Sequence, residues 1–135
     1  MLLAEDHPQT ADRLRRLLGT EFDVVGWVVD GAALVEAASR LCPDAIVADI
    51  AMTGMDGIEA TWQICRKNSD ARIVLVTVHS ELMLVEAGVA AGALGYVLKD
   101  TAGDELIPAV RAALGGQQYV SGELGWVNGE PGSRV

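Results

Sequence analysis

Four polar groups in this chain each stand at the end of a short apolar run. Glu5 and Asp6 follow Met1-Leu2-Leu3-Ala4, and Asp49 follows Ala45-Ile46-Val47-Ala48. Thr77 follows Arg72-Ile73-Val74-Leu75-Val76, and Lys99 follows Leu94-Gly95-Tyr96-Val97-Leu98. Read as parallel strands, these runs bring their carboxyl ends to one edge of a sheet, where open α/β sheets build their sites. Three acids, a hydroxyl and an amine then share one small volume. Two carboxylates ~4 Å apart repel by about 4 kcal/mol at an effective dielectric of about 20, so three ionised acids call for a cation. Mg²⁺ suits them: it is hard, and is usually held by one or two carboxylates with waters and phosphate oxygens. Mn²⁺ is a chemically reasonable substitute. An Asp oxygen left free by the metal can attack phosphorus, since carboxylate nucleophiles form aspartyl phosphates. Phosphoryl transfer asks for little beyond alignment and charge neutralisation. Lys99 offers a second positive charge and Thr77 a hydrogen bond to a phosphoryl oxygen. Taken singly, each residue has an ordinary role, as helix cap, strand packing or solvated surface. Their joint placement carries the reading.

The elements that must position these groups alternate. Strands are expected at about 2–5, 24–28, 45–49, 72–77 and 94–98, and helices at about 8–18, 32–41, 57–67, 81–91 and 103–114. Alternating β and α with nearly all-apolar strands predicts a doubly wound parallel sheet covered on both faces. The spacings agree. Asp6 to Asp49 is 43 residues, room for two βα units, while Asp49 to Thr77 is 28 and Thr77 to Lys99 is 22, one unit each. In the order 2-1-3-4-5 the second strand lies at the sheet edge, so its end is expected to carry no reacting group. Pro8 suits a first helical position and Gly19 a C-cap. Thr101 with Asp104 resembles a capping box. Residues 117–135 read as linker or tail after a domain over 1–116, with Trp126 as the nearest large anchor.

Composition narrows the function. The chain has 135 residues, 50% of them hydrophobic, enough for one domain with a real core. Its net charge of −9, with ten scattered Lys and Arg, argues against gripping a phosphate backbone or an anionic membrane. Cys42 and Cys65 match no metal or redox spacing and are expected as buried free thiols. The opening run is too short for a signal peptide and no stretch is long enough to cross a bilayer, so a cytoplasmic protein is expected.

Glu5-Asp6-His7-Pro8, Asp49-Ile50-Ala51-Met52-Thr53-Gly54-Met55-Asp56-Gly57, Thr77-Val78-His79 and Ala91-Gly92-Ala93-Leu94-Gly95-Tyr96-Val97-Leu98-Lys99-Asp100 together resemble bacterial two-component response regulator receiver domains, nearest the NarL/LuxR-type group. The resemblance runs from residue 1 to about 121. It implies a flavodoxin-like (CheY-like) five-stranded parallel sheet in three α/β/α layers. It implies Asp49 as the phosphoacceptor for a sensor histidine kinase. Asp6 is implied as a direct Mg²⁺ ligand, Glu5 as a ligand mostly through water, and the Ala51 backbone carbonyl as the remaining protein ligand. Lys99 pairs with Asp49 and then with the phosphoryl group. The resemblance further implies that Thr77 would swing toward that group and that Tyr96 would turn inward behind it. Ala51 and His79 occupy positions that tune hydrolysis of the acyl phosphate. Such proteins usually carry a C-terminal helix-turn-helix that reads DNA once the receiver pairs with a second copy. Here DNA would be met only through such a domain, absent from these residues.

Several residues depart from that pattern. The first strand is short. Thr53 stands where the loop usually has Pro, which predicts a looser loop and a less well-placed Ala51 carbonyl. Gly88 in the fourth helix reads either as close packing or as a softened switch helix. Pro108 should kink or shorten the last helix. Leu82-Met83-Leu84-Val85 cannot all face the sheet, so part of it is expected to be exposed. Trp62 reads as a half-buried anchor. Competing functions rank lower. The alternatives are a stand-alone receiver acting by protein contacts and a pseudo-receiver that never uses phosphate, which does not need the full acid-Asp-Thr-Lys set. A haloacid-dehalogenase-type phosphatase wants a second acid where Ala51 stands, and a flavin protein wants a phosphate loop after the first strand.

Overall fold

The computed structural model describes residues 1–122, 126–127 and 130–131. Six parallel strands form one sheet in the order β2-β1-β3-β4-β5-β6. They are β1 (Leu2–Ala4), β2 (Gly26–Val28), β3 (Ile46–Asp49), β4 (Ile73–Thr77), β5 (Gly95–Leu98) and β6 (Tyr119–Val120). The helices between them are α1 (Pro8–Gly19), α2 (Gly31–Leu41), α3 (Gly57–Lys67), α4 (Leu82–Ala91) and α5 (Ala102–Leu114), with a single 3₁₀ turn over Lys99–Thr101. A separate antiparallel pair joins β7 (Trp126–Val127) to β8 (Glu130–Pro131).

Strand alternation sends neighbouring residues to opposite faces. Leu2, Ala4, Ile46, Ala48, Ile73 and Leu75 meet Leu34 and Ala37 of α2, Ala60 and Ile64 of α3, and Val85 of α4. Leu3, Val47, Val74, Val76 and Val97 meet Ala11, Leu14 and Leu18 of α1 and Leu106, Ala109 and Val110 of α5. The central strands β1, β3, β4 and β5 are buried along their whole length, while β2 is partly exposed at the edge. Helices α1, α2 and α3 begin where a polar side chain meets one of the first free amides. Asp30 Oδ1 accepts from the Ala33 amide at 2.7 Å, and Asp56 Oδ1 from that of Glu59 at 2.8 Å. His7 Nδ1 faces the Thr10 amide at 3.4 Å, with Pro8 at the first helical position.

The structure corrects several local expectations. Helix α1 runs through Gly19, and Thr20 caps it in an ordinary right-handed conformation, its hydroxyl donating to the Leu17 carbonyl at 2.8 Å. Pro108 neither breaks nor shortens α5. Pro108 and Asp104 are both exposed, so water can solvate the carbonyl that loses its amide partner. The cysteines are free but not buried: Cys42 is exposed, ending α2 in the left-handed region at φ 45°, and Cys65 is half-buried. Gly88 packs closely, as a Cβ there would lie 2.9 Å from Leu75 Cδ1 and 3.4 Å from the Tyr96 ring. On α4, Met83 and Leu82 face solvent while Val85 is buried. Trp62 is exposed, with the Arg66 guanidinium 4.5 Å from its ring centroid.

The largest difference lies after α5. Tyr119 and Val120, expected in the linker, pair with Gly95 and Tyr96 and add the sixth strand. Thr101 does not cap α5. Its hydroxyl bonds the Glu105 carboxylate, which also accepts from Ser121 Oγ at 2.7 Å and Tyr119 Oη at 3.1 Å. The Leu98 amide donates to Ser121 Oγ at 3.1 Å, and the Ser121 amide to the Tyr96 carbonyl at 2.9 Å. Such a network is worth its cost only when every member is satisfied, and a sequence pattern does not reveal that. The remainder of the expected tail, 123–125, 128–129 and 132–135, lies outside the described residues, as do the side chains of β7 and β8, Trp126 included.

Partial burial would raise the Glu105 pKa, but the hydrogen bonds from Thr101, Ser121, Tyr119 and the Gly122 amide outweigh it and hold the carboxyl below its ordinary range. A lowered folded-state pKa gives stability that is present above the unfolded value and lost as pH falls through the folded one. Protection of the 119–122 amides against exchange, taken relative to the intrinsic rate at each pH, should therefore fall in acid below the usual glutamate range. Glu105→Gln should remove about 1–2 kcal/mol of local stability at neutral pH. Equal exchange rates in the two proteins at pH 7 would disprove the clasp.

Candidate functional site

The carboxyl edge of the sheet gathers the expected groups. Glu5 and Asp6 follow β1, Asp49 ends β3, Thr77 ends β4, and Lys99 opens the 3₁₀ turn after β5. Lys99 Nζ lies 2.6 Å from Glu5 Oε1 and 2.9 Å from Asp49 Oδ2. Glu5, Asp6 and Asp49 each present a carboxylate oxygen within 4.8 Å of the others. Glu5 and Asp49 are buried, whereas Asp6 is exposed. Three acids against one ammonium leave an excess of negative charge partly shielded from water.

Neighbouring groups hold the acids differently. The second Glu5 oxygen accepts from the His7 amide at 3.4 Å, and Asp49 Oδ1 accepts from the Ala51 amide at 3.4 Å. Among the described residues, no hydrogen bond or ion pair reaches the Asp6 carboxylate. Burial pushes the Glu5 carboxyl up, the charge of Asp49 adds to this, and Lys99 opposes it. For Lys99, burial alone would lower the pKa. The hydrogen bonds it donates to Glu5 and Asp49, with their negative charge, outweigh burial and raise it. The amine therefore stays charged, as the cation that keeps two buried acids together.

Thr77 is fully buried, its Oγ1 accepting from the His79 amide at 3.1 Å. His79 Nδ1 stands 3.6 Å from Glu81 Oε2. Tyr96 is already inward: the ring is buried and its hydroxyl donates to the His79 carbonyl at 3.2 Å. Burial, then the charges of Glu81 and Asp49, push its pKa up to about 12. The inward turn expected of Tyr96 is thus not needed to bury this ring.

The loop carrying Ala51 is tied to its neighbours through backbone contacts. Thr53 forms an isolated parallel β-bridge with Asp30, tying the loop to the start of α2. A Cβ on Gly31 would lie 2.3 Å from the Met55 carbonyl oxygen, and one on Gly57 would lie 2.1 Å from that of Asp49. Backbone contacts this close admit only glycine. Gly57 stood in the sequence only as the end of a motif and Gly31 not at all, because tight approach is a property of distant segments. The same is true of Trp27, whose indole Nε1 donates to the Glu5 carbonyl at 2.8 Å.

A clustered set of oxygen donors, one exposed and two buried, fits a hard divalent cation. A concavity of about 270 Å³ beside it, lined by Val78, Ser80, Leu98, Lys99 and Asp100, opens onto the lysine. A larger cavity of about 590 Å³, lined by Met1, Asp23, Asp44 and Arg72 among others, sits at the opposite end of the strands, away from the acid cluster.

This doubly wound sheet, with acids and a lysine joined at its carboxyl edge, defines a receiver-type α/β domain. The response regulator receiver domain family matches residues 1–111, and the chain belongs to that family. It is 41% identical over 126 residues to the transcriptional regulatory protein LiaR of Bacillus subtilis, covering 92% of this chain and 60% of LiaR. It is 35% identical over 129 residues to the response regulator UvrY of Escherichia coli, covering 92% and 58%. The chain thus spans about three-fifths of the length of these relatives. A LuxR-family two-component response regulator from Aurantimonas has a similar structure, with TM-score 0.88 and 32% identity over 91% of this chain and 89% of that one. The receiver domain of the response regulator NarL from Mycobacterium tuberculosis gives 0.80 and 31% over 86% and 95%. The chain therefore groups with NarL/LuxR-type response regulators, which are signalling proteins. Among the described residues no helix is long and apolar enough to cross a membrane.

Proposed function

We propose that this receiver takes a phosphoryl group on Asp49 and converts it into a conformational signal. The observation that carries the reading is Lys99 bridging Glu5 and Asp49 at the sheet edge where Asp6 stands open to solvent. Asp6, Asp49 and the Ala51 carbonyl would hold Mg²⁺, with Glu5 acting mostly through water. When bound, the ion would neutralise charge on the transferring group. An Asp49 oxygen forms the new bond to phosphorus. The bond from phosphorus to the ring nitrogen of a kinase phosphohistidine breaks, and that nitrogen keeps the electron pair. Lys99 then exchanges a carboxylate oxygen for a phosphoryl oxygen. Thr77 releases the His79 amide to donate its hydroxyl to the phosphoryl group. Because Tyr96 bonds the His79 carbonyl, a shift of that loop is felt by the buried ring, a population shift between two packed states.

The phosphodonor would be a sensor histidine kinase and the cell compartment the cytoplasm. The output, by analogy with the transcriptional regulator LiaR, would be transcription through a DNA-binding domain beyond these residues, with homodimerisation on phosphorylation. The test is incubation with acetyl phosphate, with and without Mg²⁺, followed by intact-mass analysis. A gain of one phosphoryl group only with Mg²⁺ supports the reading; no gain with Mg²⁺ refutes it.

His79 faces the same loop. If it guides the attacking water, His79→Ala lengthens the phosphoryl lifetime by on the order of a hundredfold, the low end of general-base effects. An unchanged dephosphorylation rate would leave His79 its backbone bonds to Thr77 and Tyr96 and its contact with Glu81.

A further inference from the structure

We propose that Trp27 is a positioning residue for the Glu5–Asp6 acid pair and that its indole reports occupancy of the cation site. The inference rests on the metal-binding reading above. Strand pairing between β1 and β2 ends at Ala4 and Val28. Beyond it, the Glu5 amide donates to the Val28 carbonyl at 3.0 Å, and the Glu5 carbonyl accepts from Trp27 Nε1 at 2.8 Å. The indole supplies a rung that the ladder no longer provides. A peptide unit is planar, so holding its oxygen fixes the plane through which Asp6 leaves Glu5.

This matters most for Asp6. Lys99 and backbone amides hold the carboxylates of Glu5 and Asp49, while no described residue holds that of Asp6. Its place in the cluster is therefore set by its backbone, and Trp27 pins that backbone. The ring remains 39% exposed at the sheet edge, with the Arg15 guanidinium 6.0 Å from its centroid. Cation–π attraction steadies it from the α1 side. A cation arriving at Asp6 would change the field on an indole one hydrogen bond away.

The test uses the full chain. Trp62→Phe with Trp126→Phe leaves Trp27 as the sole tryptophan, and its emission should change on Mg²⁺ titration with the dissociation constant that calorimetry gives. Trp27→Phe in the otherwise unchanged chain should raise that constant roughly fivefold, the factor one net hydrogen bond supplies. Benzothienylalanine at position 27 of the single-tryptophan chain keeps the ring and replaces N–H by sulfur. It should show the same loss, which a merely space-filling ring would not. It also decides the matter should Trp27→Phe fold poorly. Mg²⁺ affinity unchanged in both proteins overturns the role of Trp27 and leaves the metal site standing. A wild-type chain that binds no Mg²⁺ overturns both.

Discussion

Asp49→Asn should abolish uptake of a phosphoryl group from acetyl phosphate, lowering the labelling rate by at least about a thousandfold, while leaving the fold intact. The neutral amide is a far poorer nucleophile toward phosphorus than a carboxylate. The substitution is nearly isosteric, and Asp49 lies where the Ala51 amide and Lys99 already supply partners. The charge change has its own sign. Removing one of three clustered acids relieves repulsion, but it also takes one partner from Lys99. Because Glu5 still neutralises the ammonium at 2.6 Å, no buried charge is left without a partner and we expect stability without metal to change little. The rise of Tm with added Mg²⁺, which follows from binding to the folded state alone, should shrink or vanish. Intact-mass analysis and thermal melts with and without Mg²⁺ check both halves. Persistent labelling of the Asn variant would move the acceptor to another acid, with exposed Asp6 the first to examine.

Gly57→Ala should be the most damaging single-methyl change near the site, costing about 3 kcal/mol. Its Cβ would lie 2.1 Å from the Asp49 carbonyl oxygen, 2.9 Å from its carbon and 3.0 Å from Ile50 Cα. All three are backbone atoms, so no rotamer change relieves the overlap. Either α3 withdraws, opening its Ala60 and Ile64 contacts with the core, or the end of β3 moves and carries Asp49 with it. Gly103→Ala on α5 is the control: nothing lies within 4 Å of the new Cβ. There the gain in helix propensity should stabilise by about 0.5–1 kcal/mol. Urea denaturation of the pair separates the outcomes. If Gly57→Ala unfolds at the wild-type midpoint, the close approach of α3 to Asp49 is wrong.

Much of this was legible in the sequence because it is local and periodic. Apolar runs of four or five residues marked the central strands, and polar residues at their ends marked the site. The strand order explained why the end of β2 carries no reacting group. What the pattern missed is long-range. Tyr119 and Val120 sit in a polar, glycine-flanked stretch and became a strand only because β5 offered an unpaired edge. The exposure of Cys42 followed from a helix ending in a left-handed turn, not from the residue's usual preference for burial. The bridge between Thr53 and Asp30 likewise joins segments that no local pattern pairs.

The sequence by itself determined which groups stand at the carboxyl ends of the strands, and hence the chemistry open to them: acids for a cation, a carboxylate for phosphorus, an amine and a hydroxyl to receive the charge. Side-chain type and strand period are properties of neighbouring residues, so one chain read in order suffices. Only the tertiary structure decided how those groups are held. It set Lys99 between Glu5 and Asp49, left Asp6 to its backbone, pressed α3 against the Asp49 carbonyl and turned the Trp27 indole onto Glu5. Each of these joins segments far apart in the chain through a few ångströms of space, and sequence periodicity carries no information at that range.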